Sequence, residues 1–238
     1  MELAKNLQKT LNQKANPKTD LYVDLAESVT GIILVGFLWM HMLFVGTIYI
    51  NNGVLFNSLS EGLDKYYLAQ IGIPATVLVI LIHIFMAGRR APMRLRDLRI
   101  AWRLTKSLKH TDTWIWVGQV ITALIIGIMA SMHLWEIMTT WPIEATKSAH
   151  RVAQDGIAFM GGFSIKYYLW FYVALLLAGE YHAGFGLYRI FVKWGWFERR
   201  KMGWVLKGIT LIILLIGFGA LYMFIKLAGM VPLGGALH

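Results

Sequence analysis

The chain has 238 residues, of which 57% are hydrophobic and 15% are charged. Soluble domains carry roughly 25% charged residues, so this composition excludes an ordinary water-soluble globule. The absence of cysteine excludes disulfides and thiolate metal sites, so any metal must be bound by histidine or carboxylate. The formal net charge is +10, but the basic residues flank apolar segments instead of forming a patch, so we expect no nucleic-acid partner.

Five apolar stretches are long enough to cross a bilayer. We expect each to be a helix, because lipid offers the backbone polar groups of a single span no other hydrogen-bond partner. The predicted spans I to V are residues 28–50, 68–88, 114–140, 168–193 and 203–227. The sequence therefore predicts an all-α integral membrane protein in which residues 1–238 form one transmembrane domain.

Basic residues mark which connections face the cytoplasm. They concentrate in the connection between spans II and III and in the link after span IV: Arg89, Arg90, Arg94, Arg96, Arg99, Arg103, Lys106, Lys109, Arg199, Arg200 and Lys201. The N-terminal tail, which we expect to be loose, adds Lys5, Lys9, Lys14 and Lys18. The N-terminus is thus predicted to be cytoplasmic and His238 to lie outside.

The basic connection after span II also carries apolar residues at helical spacing. They are Leu95, Leu98, Ile100, Trp102 and Leu104. This pattern predicts an amphipathic segment on the inner face, in contact either with lipid headgroups or with a partner subunit.

Four of the seven histidines fall one each within spans I to IV: His41, His83, His133 and His182. An ionisable side chain at membrane depth is rare and indicates function, although a single one can be an interhelical hydrogen bond. The alternating span directions place His41 and His133 toward the outer face and His83 and His182 toward the inner face. Two bis-imidazole sites stacked in a four-helix bundle of spans I–IV suit two b-type haems, whereas zinc would gather its ligands at one level.

Small residues lie on the same helix faces as these histidines. Gly179 and Gly186 flank His182 at i−3 and i+4. Ala130 lies three residues before His133, and Ala87 lies four residues after His83. They leave room for a flat ring, and close helix packing is the alternative explanation.

Three sequence strings carry a resemblance to a known family. Span I contains ESVTG and WMHMLFV, span III opens with HTDTWIW, and span IV ends with EYHAGFGLYRIFVKWGWF. Over roughly residues 26–200 the chain resembles the di-haem cytochrome b membrane anchor of menaquinol:fumarate reductases, in the succinate:quinone oxidoreductase superfamily.

The resemblance implies an anchor subunit that exchanges electrons with menaquinol or menaquinone. Its partners would be an iron–sulfur subunit and a flavoprotein subunit with FAD, which hold the dicarboxylate chemistry on the cytoplasmic side of a bacterial inner membrane. A dimer of such heterotrimers is compatible with this arrangement. Menaquinol, membrane lipid and two haems b complete the implied ligands.

The resemblance also implies roles for individual residues. His83 and His182 would ligate the haem nearer the iron–sulfur subunit, and His41 and His133 would ligate the distal haem. The residues expected to contact haem propionates are Ser28, Trp116 and Lys193. An ordinary snorkelling lysine is the alternative for Lys193.

Two glutamates lie close in sequence to the span histidines. Glu180 lies two residues before His182 and on another helix face, so we do not expect it to ligate the same metal. The family assigns its counterpart to a proton path, and an interhelical hydrogen bond is the alternative. We expect Glu136, near the outer end of span III, to be solvated.

The quinol site is where the chain departs from the family. Relatives carry an acidic residue near the outer start of span II, and by position relative to Pro74 this chain offers Gln70 there. Glu61 and Asp64 in the preceding loop are alternative acidic residues for this role. A quinol site beside the inner haem is an alternative location.

Two other functions fit histidines at membrane depth. One is the cytochrome b subunit of a hydrogenase or formate dehydrogenase, against which the KWGWF ending argues. The other is a proton or metal transporter lined by histidine and glutamate, which would bind no haem.

Overall fold

The computed structural model describes residues 17–89, 95–108, 111–155, 157–158, 164–165 and 168–230. The helices are α1 (Pro17–Gly46), α2 (Val54–Lys65), α3 (Leu68–Gly88), α4 (Leu95–Leu108), α5 (Thr111–Thr139), α6 (Ala145–His150), α7 (Tyr168–Trp194) and α8 (Arg199–Met230). A 3₁₀ segment, Thr47–Gly53, follows α1, and a π-helical turn, Arg151–Asp155, follows α6. Lys5, Lys9, Lys14, Arg90, Arg94, Lys109 and His238 lie outside the described residues.

The described residues are helical apart from turns and one short pair of strands. The two-residue strands β1 (Ile157–Ala158) and β2 (Ser164–Ile165) pair antiparallel in the connection before α7. Four helical segments are long and apolar enough to cross a membrane: Pro17–Lys65, Leu68–Gly88, Thr111–Thr139 and Arg200–Gly229. The protein is therefore a multi-pass membrane protein.

The predicted span IV corresponds to α7, which is absent from those four apolar segments. Its 27 residues are enough to cross the hydrocarbon, since a helix rises about 1.5 Å per residue. Tyrosines, glycines and Glu180 lower its hydropathy. Helices α1, α5 and α8 all pack against α7, so its polar residues lie inside the bundle and not against lipid.

Helix bounds differ from the prediction most strongly in α1. The predicted span was 28–50, but the helix begins at Pro17, and the expected loose tail is helical over its last residues. The α-helix ends at Gly46, and Asn51, Asn52 and Gly53 then adopt positive φ angles.

The other spans match within a few residues. Span II coincides with α3, while α5, α7 and α8 differ from their predicted bounds by at most four residues at either end. Helix α2 was missed: it occupies the outer connection that the sequence left as a loop. The amphipathic segment is confirmed as helix α4, whose Trp102 ring meets Trp114 of α5 with centroids 5.5 Å apart.

Contacts between side chains show that α7 runs antiparallel to both α1 and α5. Ser28 near the start of α1 accepts a hydrogen bond from Trp194 at the end of α7. His133 late in α5 pairs with Tyr172 early in α7. The end at which α1, α5 and α8 begin is called the basic end here, and the opposite end is called the far end.

Three apolar clusters lie within the described residues, and one of them, Tyr168 and Phe171 of α7, packs against Met129 and Met132 of α5. The other two join more helices. The larger lies at the far end, where Ile48, Phe56, Ala149, Phe224 and Leu227 join the 3₁₀ segment, α2, α6 and α8. The smaller lies between α1, α7 and α8. Helix α3 contributes to none of these clusters, because none of its residues is buried. It packs chiefly on α1.

Gly53 is the tightest point of the far end. Its φ of +93° is a left-handed conformation, and a Cβ placed there would lie 2.6 Å from the Cβ of Ala145. Gly53→Ala should therefore destabilise the fold by at least about 1–2 kcal/mol, the cost of left-handed backbone for an L-residue. Thermal unfolding of the purified protein in detergent would record this as a lower midpoint.

Gly62→Ala is the matched control for Gly53→Ala. Gly62 lies within α2, and a methyl group added there would have nothing within 4 Å, so alanine should be neutral or stabilising. Equal midpoints for Gly53→Ala and the unmodified chain would contradict the assignment of strain to Gly53.

Candidate functional site

His41 and His133 face each other toward the far end of the bundle. Their ring centroids lie 6.0 Å apart with the planes inclined at 61°. His41 projects from α1, and Phe37, one turn earlier, stacks on it at 5.8 Å. Both histidines are half-buried.

His83 and His182 form a second pair, toward the basic end. His83 projects from α3 toward α1, and His182 projects from α7 toward α5, where Gln119 donates to the backbone carbonyl of His182 at 3.1 Å. Gly31 of α1 permits this approach: a Cβ there would lie 3.3 Å from Cε1 of His83 and 3.2 Å from Ile190 of α7. A larger residue at position 31 would push α3 outward.

Threonine hydroxyls fix the tautomer of the basic-end histidines. Thr30 Oγ1 lies 3.0 Å from Nδ1 of His83, and Thr122 Oγ1 lies 3.2 Å from Nδ1 of His182. Each hydroxyl already donates its proton to the carbonyl four residues earlier in its own helix, at 2.7 Å. A hydroxyl that donates its one proton to this carbonyl can only accept from Nδ1–H, and in that tautomer the Nε2 lone pair is available to a metal.

The same logic applies to His133 through a different partner. Its Nδ1 lies 3.0 Å from the hydroxyl of Tyr172, which itself donates to Oε2 of Glu136. The tyrosine oxygen therefore accepts from Nδ1–H, and Nε2 of His133 is again the free nitrogen. Three of the four span histidines thus have the hydrogen-bonding typical of metal ligands.

The prediction that Glu136 is solvated is wrong. Its side chain is 2% exposed, because Tyr172 of α7 and Arg151, just after α6, cover the end of α5. The Arg151 Nε atom lies 3.8 Å from Oε1 of Glu136. The sequence did show that positions 133 and 136 share a helix face. It gave no pattern in the loop that supplies Arg151, so the contact between Arg151 and Glu136 was not predictable.

Ser28 and Lys193 meet at the basic end. Lys193 Nζ lies 2.9 Å from Oδ2 of Asp24, and Trp194 Nε1 donates to Ser28 Oγ at 2.9 Å. Ser28 in turn donates to the Asp24 carbonyl at 2.7 Å. The sequence singled out Ser28 and Lys193 but missed Asp24 and Trp194, which connect them.

Trp116 lies elsewhere, against the amphipathic helix. It lines an open cleft of about 350 Å³ between α4 and α5, together with Leu98, Trp102 and Val120. The cleft wall is mainly apolar, with Arg99 and Arg103 contributed by α4. The structure thus separates Trp116 from the Ser28–Lys193 group by its neighbours.

Glu180 is 1% exposed and lies inside α7. Within the described residues, neither of its carboxylate oxygens has a hydrogen-bond partner. A bare carboxylate in such a place is costly, so the interhelical hydrogen bond offered as its alternative role has no support in these contacts. Burial of this kind is typical of a functional group.

The candidate quinol residues lie together at the far end. Gln70 Nε2 donates to Asp64 Oδ1 at 2.7 Å, and Trp141 Nε1 donates to the same oxygen at 2.9 Å. Gln70 and Glu61 are exposed, whereas Asp64 is half-buried. The acidic group that neighbouring side chains hold in place is therefore Asp64, and Gln70 is one of the two residues that donate to it.

Across the part of the chain that is described, no group of three or more histidine, aspartate and glutamate side chains could hold a metal ion. The histidines come as two pairs at two depths. Such pairs offer axial nitrogens to a planar ligand and leave the remaining coordination positions to that ligand.

Comparison with known proteins decides the family. Residues 96–224, more than half of the chain, match the succinate dehydrogenase/fumarate reductase transmembrane subunit family. The chain belongs to this family. The resemblance drawn from the sequence strings is confirmed.

Individual relatives extend the match over most of the chain. A fumarate reductase cytochrome b subunit of Helicobacter pylori is 28% identical over 223 residues, which cover 87% of this chain and 83% of that protein. A fumarate reductase cytochrome b subunit of Wolinella succinogenes is 29% identical over 220 residues, or 83% of this chain and 80% of that protein. The similarity thus extends into α1, which precedes the family match.

Proposed function

We propose that the chain is the quinone-reactive, di-haem cytochrome b membrane anchor of a fumarate reductase or succinate dehydrogenase. It relays electrons between menaquinol and an iron–sulfur subunit. The observation that carries this proposal is the pairing of four span histidines at two depths, with Nδ1 of three of them already bonded to a hydroxyl.

The His41–His133 geometry fits a shared axial ligand set. His41 and His133 would hold one metal ion between them, since a metal–nitrogen bond of about 2 Å to each ring requires rings that are several ångströms apart. The observed separation is 6.0 Å. Bound haem b would supply one-electron transfer, while the protein supplies axial nitrogens, orientation and a low dielectric.

Space beside His182 fits the same proposal. A Cβ at Gly179 would make only ordinary contact with Leu38, at 3.9 Å, and one at Gly186 would lie 3.7 Å from Gln119. Packing within the chain therefore does not demand glycine at either position. Room for a flat ring explains both glycines better than close helix packing does.

The orientation follows from the charge at the basic end. Its exposed basic side chains include Lys18, Arg96, Arg103, Lys106, Arg200 and Lys201. By the positive-inside rule this end is cytoplasmic, α7 crosses the membrane as span IV in addition to the four apolar segments, and the N-terminus lies inside a bacterial inner membrane. Ser28, Lys193 and Trp116 then lie toward the cytoplasm, as expected for residues near haem propionates.

The cytoplasmic face is the expected docking surface for the iron–sulfur subunit, which in turn contacts the FAD-containing flavoprotein. An electron acceptor has to lie near the inner haem, between His83 and His182. Menaquinol is assigned to the far end, where Asp64 with Gln70 offers the acidic group that relatives place there. A dimer of such heterotrimers is part of the proposal.

The haem content tests the function directly. The purified complex should contain two non-covalently bound haems b per copy of this chain, measured by the pyridine haemochrome assay. His41→Ala or His133→Ala should remove one spectral component and His83→Ala or His182→Ala the other, because each pair shares one iron. One haem or none per chain would refute the proposal, and a missing Soret band would favour the transporter.

Thr122 should matter through the His182 ring that it orients. Thr122→Val keeps the shape of the side chain but removes the acceptor for Nδ1–H, so the inner haem should be bound roughly 10–100-fold more weakly. Haem retention during titration with a haem-binding competitor would measure this change. Thr122→Ser restores the hydroxyl and should restore retention; equal loss in both variants would indicate a packing effect instead.

Glu180 is proposed to carry a proton that accompanies electron transfer, without ligating haem. Glu180→Gln keeps size and hydrogen bonding but cannot carry the proton as an acid. The complex should keep both haems and its dicarboxylate activity with an artificial soluble donor, yet lose most menaquinol-linked turnover. Wild-type menaquinol turnover, or loss of a haem, would contradict this role.

A further inference from the structure

A continuous line of polar contacts leads from the far-end surface to His133. Arg151 lies 3.8 Å from Oε1 of Glu136, Oε2 of Glu136 accepts from the hydroxyl of Tyr172, and that oxygen lies 3.0 Å from Nδ1 of His133. Four side chains from α5, α7 and the turn after α6 thus form one hydrogen-bonded and ionic chain. It ends on the ring that faces His41.

The location of Glu136 requires an explanation. A carboxylate that is 2% exposed has lost nearly all of its hydration, and one distant guanidinium recovers only part of that cost. Within the described residues, Arg151 Nε makes no hydrogen bond, so its contact with Glu136 is an ion pair and not a close bidentate fork. The closest contact of Glu136 is therefore with Tyr172.

The His83–His182 pair provides the contrast. Thr30 and Thr122 accept from Nδ1 of those rings and pass their own protons to backbone carbonyls. A backbone carbonyl carries only a partial charge, whereas Glu136 at the end of the His133 chain can carry a full one. Glu27 of α1 also lies near His83, but no described hydrogen bond links its carboxylate to that ring, whereas Tyr172 joins the Glu136 carboxylate to His133.

We propose that Glu136 is a positioning residue that acts through Tyr172 to tune the metal centre held by His41 and His133. This inference rests on the proposed haem-binding function. A negative partner behind Nδ1–H makes the imidazole a stronger electron donor through Nε2 and favours the oxidised metal. Glu136 therefore lowers the reduction potential of the outer haem relative to the same site with a neutral partner.

Potentiometric titration of the intact complex, followed by haem absorbance, tests the proposal. Glu136→Gln keeps the side-chain shape but replaces the carboxylate with a neutral amide. At a fixed ambient potential, the reduced-to-oxidised ratio of the outer haem should rise about tenfold, which is about 59 mV for a one-electron couple. The component that His133→Ala removes identifies the outer haem, and the inner haem should titrate unchanged.

Glu144→Gln is the matched control. Glu144 also lies near the far end, but it is 45% exposed and pairs with Lys147 at 2.8 Å, away from the histidines. It makes the same change in net charge without touching the chain of contacts. A shift of equal size in Glu144→Gln and Glu136→Gln would assign the effect to overall charge and overturn the proposal.

Tyr172→Phe keeps the ring, which packs edge-on against His133 with centroids 5.5 Å apart, and removes the connecting hydroxyl. It should raise the outer-haem potential in the same direction. Glu136 Oε2 itself lies 3.8 Å from Nδ1 of His133, so adding Glu136→Gln to Tyr172→Phe should still shift the potential, but by less than Glu136→Gln does alone. An unchanged potential in Glu136→Gln, additive shifts in the double variant, or loss of the outer haem from both single variants would each overturn the proposal. A complex that contains no haem before any substitution would instead refute the proposed function.

Discussion

A hydroxyl group has a single proton, and this constraint governs how the threonines of the spans can hydrogen-bond to the histidine rings. The hydrocarbon interior offers no water, so the hydroxyl of a serine or threonine in a span donates its hydrogen bond to a backbone carbonyl one turn earlier. Once that proton is used, the oxygen can only accept. Thr30 and Thr122 are in this condition, and the orientation of two histidine rings depends on it.

The features that repeat with helical or topological regularity were predictable from the sequence. Span positions, the amphipathic helix and the two depths of the histidines all follow from hydropathy, charge and a fixed rise per residue. The end of α1 was not predicted, although Asn51, Asn52 and Gly53 are residues that tolerate positive φ. Hydropathy continued past the turn that these residues form.

Contacts between distant segments were beyond prediction from one sequence. Glu136 looked solvated because it lies near the end of a span, and only the packing of Tyr172 and Arg151 over it makes it buried. The connection between Asp24 and Lys193 spans most of the chain in the same way. Each of these side chains is ordinary in its local sequence and becomes informative only when its partner is known.

Helix α3 has an unusual place in the bundle. It contributes His83, yet none of its residues is buried, and it packs chiefly against α1. Without a ligand shared between His83 and His182, one side of this helix has little apolar surface covered by the rest of the chain. If His83 and His182 share the proposed prosthetic group, its incorporation would add to the packing of α3 on α1 a second link, from α3 to α7, and would thereby fasten the helix to the bundle on both sides.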